Sequence, residues 1–215
     1  YDNISAPQDY KDVLQSMDTA AGQNMINSAI AALAAQGATQ TDLGMTMAKN
    51  ILDNNPVSAD EERTQVVIVF TDGAPTSFSG FDKTVANNAI TTAGDVKNKA
   101  KVYTIGIFTG ADASSAGREP NGDLNDNSNQ LTAACNWFMQ RVSSGNGVPD
   151  SGYYLSSGDL SSLNEIFQNL SDNIQTGGSS TTLGSETVVK DIISPYFTLP
   201  KDANTNSIRL TTYDC

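Results

Sequence analysis

Two patterns of hydrophobic residues follow each other along most of the chain. Apolar residues recur at helical spacing in segments that predict five helices, at about 19–36, 43–51, 82–100, 131–142 and 159–175. Between them lie β-branched apolar runs that predict strands at 66–70, 101–108 and 153–155. Strands that alternate with helices imply parallel pairing with crossover helices. The pattern therefore predicts a Rossmann-like α/β fold, with a mostly parallel sheet and helices on both faces.

The run Val66–Phe70 is continuously apolar, which is typical of a strand buried on both faces of a parallel sheet. Replacing Ile68 by alanine is then expected to cost about 2–5 kcal/mol, as in a packed core. Asp18 or Thr19 is expected to cap the first helix. The aromatic and methionine side chains of 137–139 and Tyr153–Tyr154 are expected to pack in the interior.

A change in composition divides the chain near residue 176. Residues 176–182 read Thr-Gly-Gly-Ser-Ser-Thr-Thr, which is typical of a flexible connection. Residues 1–176 are predicted to form the α/β domain, and 177–215 a linker and the start of a small β-rich module. The chain opens at Tyr1 without a start methionine, so we expect it to be a piece of a longer protein.

The charge of the chain excludes several classes of function. Among 215 residues the net charge is −12, which disfavours nucleic acid and anionic membranes. Histidine is absent, which removes His-dependent catalysis and the usual zinc sites. Charged residues make up only 17%, and the abundant hydroxyl and amide side chains favour an extracellular protein. The two cysteines, Cys135 and Cys215, are able to pair, but their spacing does not establish a disulfide.

Two short motifs carry candidate metal chemistry. Asp72 follows the run Val66–Phe70, and ligands bind at the carboxyl edge of open α/β sheets. Thr39 lies in a loop between two predicted helices and offers a neutral oxygen suited to Mg²⁺ or Mn²⁺. The alternatives are a plain Asp-Gly turn at Asp72 and helix capping by Thr41 or Asp42.

The order of these motifs resembles the von Willebrand factor type A domain. Residues 37–41 read Gly-x-Thr-x-Thr before a helix, residues 71–75 read Thr-Asp-Gly-x-Pro after a strand, and 105–107 read Ile-Gly-Ile. The resemblance covers residues 1–175, and within it 152–154 and 163–167 look like the end of such domains in pilus-tip and surface adhesins of Gram-positive bacteria. It extends weakly over 177–215, where 188–193 and 196–197 resemble the junction into the next module of those proteins. It implies a metal-ion-dependent adhesion site with Thr39 and Asp72 as metal ligands, and a cell-surface, non-enzymatic module. Its expected partners are host or matrix proteins, or other surface subunits.

The chain also departs from the family pattern. The family's Asp-x-Ser-x-Ser loop is absent, and Asp112-Ala113-Ser114-Ser115 has the wrong spacing and position. The first strand of the family fold is expected to be missing as well, so metal binding by this chain is expected to be weak or absent. A structural surface or pilus subunit with a non-functional metal site is therefore an alternative. A Mg²⁺-dependent hydrolase is a weaker one, since Phe70 stands where phosphatases of the haloacid dehalogenase type carry a second aspartate.

The polar loop at 109–129 should leave the same sheet edge as Asp72. It is interpreted either as a solvated loop or as a specificity loop beside the metal. Its carboxylates are Asp112, Glu119, Asp123 and Asp126.

Overall fold

The computed structural model describes residues 15–32, 38–57, 64–157 and 163–177. The chain divides into two units, Tyr1–Gly178 and Ser179–Cys215, and the described residues belong to the first. The β-rich module predicted after residue 177 lies outside the described residues.

Helices and strands alternate as the hydrophobic periods predict. The described helices are α1 (Ala20–Ala31), α2 (Thr41–Asn54), α3 (Lys83–Lys97), α4 (Leu131–Val142) and α5 (Leu163–Gly177). The described strands are β1 (Val66–Thr71), β2 (Lys101–Gly106) and β3 (Tyr154–Ser156). They form a parallel sheet of order β1-β2-β3, which confirms the α/β fold class.

Strand β2 lies at the centre of the sheet and is covered on both faces. On one face Val102 packs in a cluster with buried residues of α2, α3 and α4. On the other face Ile105 packs against Ile166 and Leu170 of α5. Helices therefore cover both faces of the sheet, as predicted.

Strand β1 is less buried than its sequence indicates. Ile68 and Phe70 are 44% and 48% exposed, so the prediction of burial on both faces is wrong for this face. Within the described residues β1 is the edge strand of the sheet, and its contact with α5 includes Phe70 stacked on Phe167 at 6.4 Å between ring centroids. The opposite face is packed, because Val67 and Val69 contact the cluster that α2 and α3 form.

The helix starts follow the capping predictions only in part. Thr19 caps α1, since its side chain accepts a hydrogen bond from the Gly22 N–H at 3.1 Å, which confirms one of the two predicted caps. The N-cap of α2 is Gln40, which makes no side-chain cap bond. Thr41 and Asp42 already lie inside that helix, so their predicted capping role is wrong.

The buried faces of α3 and α4 agree with the predicted ones. The apolar stripe predicted on α3 and in the turn after it is buried throughout: Val85, Ala89, Ala93, Val96 and Ala100. Trp137, Phe138 and Met139 of α4 are buried as expected. By contrast, Met25 and Ile30 of α1 are exposed. No helix in the described part of the chain is long and apolar enough to cross a membrane.

Candidate functional site

A hydroxyl-stabilised turn places Asp72 at the carboxyl end of β1. The buried Thr71 side chain accepts a hydrogen bond from the Gly73 N–H at 3.2 Å and donates one to the Gly73 carbonyl at 3.0 Å. This two-way contact holds the backbone in a tight turn immediately after the strand. The side chain of Asp72, between these two residues, is exposed to solvent. The turn thus presents a solvated carboxylate at the sheet edge.

The loop that carries Thr39 is tied to the segment after Asp72. The Thr39 carbonyl accepts hydrogen bonds from the Thr76 N–H at 3.0 Å and the Thr41 N–H at 2.9 Å. The Thr39 hydroxyl lies beside Gly73, 3.9 Å from the position that a Cβ would occupy there. A Cβ at Gly73 would therefore make an ordinary van der Waals contact with this hydroxyl, and the two loops lie side by side. The structure brings the Thr39 hydroxyl next to the residue that follows Asp72, although the two motifs lie 33 residues apart in the sequence.

The Thr41 hydroxyl is a further polar group in this corner, by which we mean the contact between the loop of Thr39 and the turn of Asp72. Its hydroxyl oxygen is buried and has no hydrogen-bond partner. A buried hydroxyl without a partner is costly, because the water that solvates it in the unfolded chain is not replaced. The orphan oxygen lies two residues from Thr39, in the first turn of α2.

The donor atoms of this corner fit a hard divalent cation in type but are too few. Hydroxyl and carboxylate oxygens are the ligands that Mg²⁺ and Mn²⁺ prefer, and Thr39 and Asp72 supply one of each. Mg²⁺ demands a nearly octahedral shell and gives up its water reluctantly. Among the described residues no group of three or more His, Cys, Asp or Glu side chains is placed to hold a metal ion. Thr39 and Asp72 are thus suited to form part of a metal site rather than all of it.

The carboxylates of the loop between β2 and α4 are engaged in contacts that shape the loop. Asp112 accepts hydrogen bonds from the backbone and side chain of Ser114. Asp123 accepts from the Lys83 N–H at 2.8 Å, Asp126 from the Gly80 N–H at 2.7 Å, and Glu119 pairs with the Lys83 ammonium group. These bonds anchor the loop to the start of α3.

Sequence reasoning missed the side chains that hold this loop against α4. Asn136 is buried, donates to the Gly110 carbonyl at 2.9 Å and accepts from the Asp112 N–H at 2.9 Å and the Tyr154 hydroxyl at 2.7 Å. Gln140, one turn later, donates to the carbonyls of Ala113 and Ser115. The available signal was a pair of amide side chains four residues apart on the apolar face of a helix.

Burial alters the ionisation of groups near this network. Desolvation raises the pKa of the Cys135 thiol to about 12, so the thiol is protonated and unreactive near neutral pH. Cys135 is a free cysteine, and Cys215 lies outside the described residues. Burial is also the main reason that the pKa of Tyr154 is raised above its ordinary value. Neither group is suited to acid–base chemistry near neutral pH.

Comparison with known proteins gives one match. The family model described as the von Willebrand factor type A domain matches residues 8–169, more than half of the chain. No curated protein matched the chain, and no solved structure did. The matched range includes both the loop of Thr39 and the turn of Asp72.

Proposed function

The chain belongs to the von Willebrand factor type A domain family, and from that membership we propose that it is a cell-surface adhesion module whose partner binding depends on a divalent cation. Domains of this family generally bind other proteins, often with the help of a metal ion. The proposed ligands from this chain are Thr39 and Asp72. The parent protein, of which this chain is proposed to be a piece, is proposed to be an extracellular surface or pilus protein of a Gram-positive bacterium. The proposed partner is a host or matrix protein or another surface subunit.

The observation that carries the proposal is the junction between the two loops. The Thr39 carbonyl bridges Thr41 and Thr76, and the Thr39 hydroxyl lies against Gly73. Such a junction holds the backbones of the two loops together at one sheet edge before any ligand arrives. When bound, the cation supplies a positive charge to which a partner carboxylate coordinates. Asp72 would contribute the compensating negative charge, and Thr39 a neutral oxygen.

We propose that the remaining ligands, on an Asp-x-Ser-x-Ser loop, come from outside residues 1–215 or from another copy of the chain. The exposure of Ile68 and Phe70 supports this, because a strand and a helix beside β1 would cover both. Among the described strands β1 is an edge strand, and Val66–Thr71 contains none of the charged residues or prolines that usually protect such a strand. On this proposal the 215-residue chain alone binds Mg²⁺ weakly or not at all.

We also propose that the module is not an enzyme. The absence of histidine supports this, and so does the assignment of the loop carboxylates to structural hydrogen bonds. A specific observation favours a second candidate, a structural subunit with a non-functional metal site. Thr39 and Asp72 supply only two metal ligands, and among the described residues no group of three or more His, Cys, Asp or Glu side chains is placed to hold a metal ion. A panel of phosphate esters with Mg²⁺ tests for hydrolase activity, and turnover abolished by Asp72→Asn would contradict the non-enzymatic proposal.

Titration of the intact parent protein with Mn²⁺, followed by calorimetry, tests the metal site. Asp72→Asn and Thr39→Val should weaken Mn²⁺ binding and leave the melting temperature in metal-free buffer nearly unchanged, because both residues lie in loops at the sheet edge. Asp95→Asn is the matched control, since it removes another exposed carboxylate, on α3, and should leave Mn²⁺ binding intact.

Two results would contradict the metal proposal. If Asp72→Asn bound Mn²⁺ as tightly as the unaltered protein, Asp72 would not be a ligand. If the unaltered parent bound no Mn²⁺, the structural-subunit candidate would replace the adhesion module.

A further inference from the structure

The sequence contains two Asn-Gly dipeptides, Asn121-Gly122 and Asn146-Gly147, which the structure places in opposite environments. An asparagine before glycine deamidates when the backbone nitrogen of the glycine attacks the side-chain Cγ. The new N–C bond closes a succinimide ring and the side-chain nitrogen leaves as ammonia. Water then opens either carbonyl of the ring, which gives aspartate or isoaspartate. The reaction requires a glycine N–H that is free to lose its proton and an asparagine side chain that is free to rotate.

Asn146 meets neither requirement. Its backbone is in the left-handed region with φ 53°, and the Gly147 N–H donates to the Gln140 carbonyl at 2.9 Å. Its side-chain oxygen accepts a hydrogen bond from the Lys97 ammonium group at 2.9 Å. A Cβ at Gly147 would come within 3.0 Å of the Arg141 side chain, so the surroundings of the glycine are crowded.

Asn121 meets both requirements. It is exposed, and a Cβ built on Gly122 meets no atom within 4 Å. Among the residues that the structure describes, none hydrogen-bonds to the Asn121 amide or to the Gly122 N–H. The Asn121 side chain is thus exposed and unrestrained, and the half-buried Gly122 has an N–H that no described residue holds.

The residues on either side of this dipeptide are anchored. The Lys83 ammonium group donates to the Pro120 carbonyl at 2.7 Å, and the Lys83 N–H donates to Asp123 at 2.8 Å. Both contacts tie the loop to the first turn of α3. Conformational freedom is therefore confined to Asn121-Gly122, because Pro120 and Asp123 on either side are held by hydrogen bonds.

We propose that Asn121 is a site of spontaneous deamidation in the folded protein and that Asn146 is protected from it. The product carries an additional negative charge in the loop that leaves the same sheet edge as Asp72. The isoaspartate form also lengthens the backbone by one carbon between Pro120 and Asp123. That lengthening displaces Asp123 from the Lys83 N–H and loosens the loop at the start of α3.

Incubation of the folded chain in mildly alkaline buffer, followed by tryptic digestion and mass spectrometry, tests the proposal. Trypsin cuts after Arg118 and Arg141, so the two asparagines fall in separate peptides. The Asn121 peptide should gain the mass of an NH-to-O exchange faster than the Asn146 peptide by about an order of magnitude. Its rate should rise in proportion to hydroxide concentration.

Two controls separate the role of the fold from that of the local sequence. In concentrated urea the two peptides should convert at similar rates, because the hydrogen bonds that protect Asn146 are lost. Gly122→Ala should slow conversion at Asn121 and preserve the fold, since a methyl group there meets open space. Equal rates at the two sites in the folded chain, or conversion of Asn121 only in urea, would overturn the proposal.

Discussion

The contrast between Ile105 and Ile68 is the sharpest test of how the sheet is covered. Ile105→Ala removes a side chain that is 0% exposed at the centre of the sheet. Three carbons at about 0.8 kcal/mol each give about 2.4 kcal/mol of lost transfer free energy. A residual cavity adds to this, so the free energy of unfolding should fall by about 3–4 kcal/mol. Ile68 is 44% exposed and leaves no closed cavity, so Ile68→Ala should cost only about 1–1.5 kcal/mol.

Urea unfolding followed by circular dichroism measures both values on the 215-residue chain. For a chain of this size the two losses correspond to falls of about 10 °C and a few degrees in melting temperature. Equal losses for the two variants would show that the face of β1 bearing Ile68 is covered in solution. That result would refute the exposure of this face in the described structure.

Further predictions concern glycine positions, a thiol and a titrating lysine. Gly44→Ala should raise the free energy of unfolding by about 0.5–1 kcal/mol, because alanine fits an open position inside α2 and lowers the entropy of the unfolded chain. A lower free energy of unfolding, measured by chemical denaturation, would contradict the open surface at Gly44. Gly117→Ala should lower the free energy of unfolding by more than about 2 kcal/mol, since φ is +63° and the methyl group would overlap the backbone of α4. An unchanged free energy of unfolding would refute the close packing of Gly117 against α4. In a Cys215→Ser background, Cys135 should resist a thiol-specific reagent near neutral pH and react on unfolding, because burial keeps its pKa at about 12; rapid reaction in the folded state would contradict the burial. Burial, and to a smaller extent the charge of Arg141, lower the pKa of Lys97 from 10.5 to about 8, so its charged form destabilises the fold. This destabilisation is fully present below about pH 8 and is relieved as pH rises towards the unfolded value. Lys97→Met should therefore flatten that rise in unfolding free energy, and an unchanged pH profile between 8 and 9 would refute the desolvation.

Much of the architecture follows from local patterns in the chain. The spacing of Val85, Ala89 and Val96 predicts a helix with one buried face, and α3 has that face. The run Val66–Phe70 predicts a strand because consecutive β-branched residues favour an extended backbone. The position of Asp72 directly after β1 indicates the carboxyl edge of the sheet, and the resemblance to the family adds Thr39 to that edge. These features depend on short-range periodicity and chain topology, both of which a sequence displays directly.

The tertiary structure alone decided which surfaces are covered and which polar groups are held. The sequence of β1 reads as buried on both faces, yet Ile68 and Phe70 are exposed, because burial depends on elements distant in the chain. The role of Asn136 was likewise hidden, because its partners lie on a loop 24 and 26 residues away and on β3. The two Asn-Gly dipeptides are identical as sequence, and only the hydrogen bonds of Gly147 and Asn146 distinguish them. Non-local contacts of this kind have no periodic signature, so they become visible only when the fold brings the partners together.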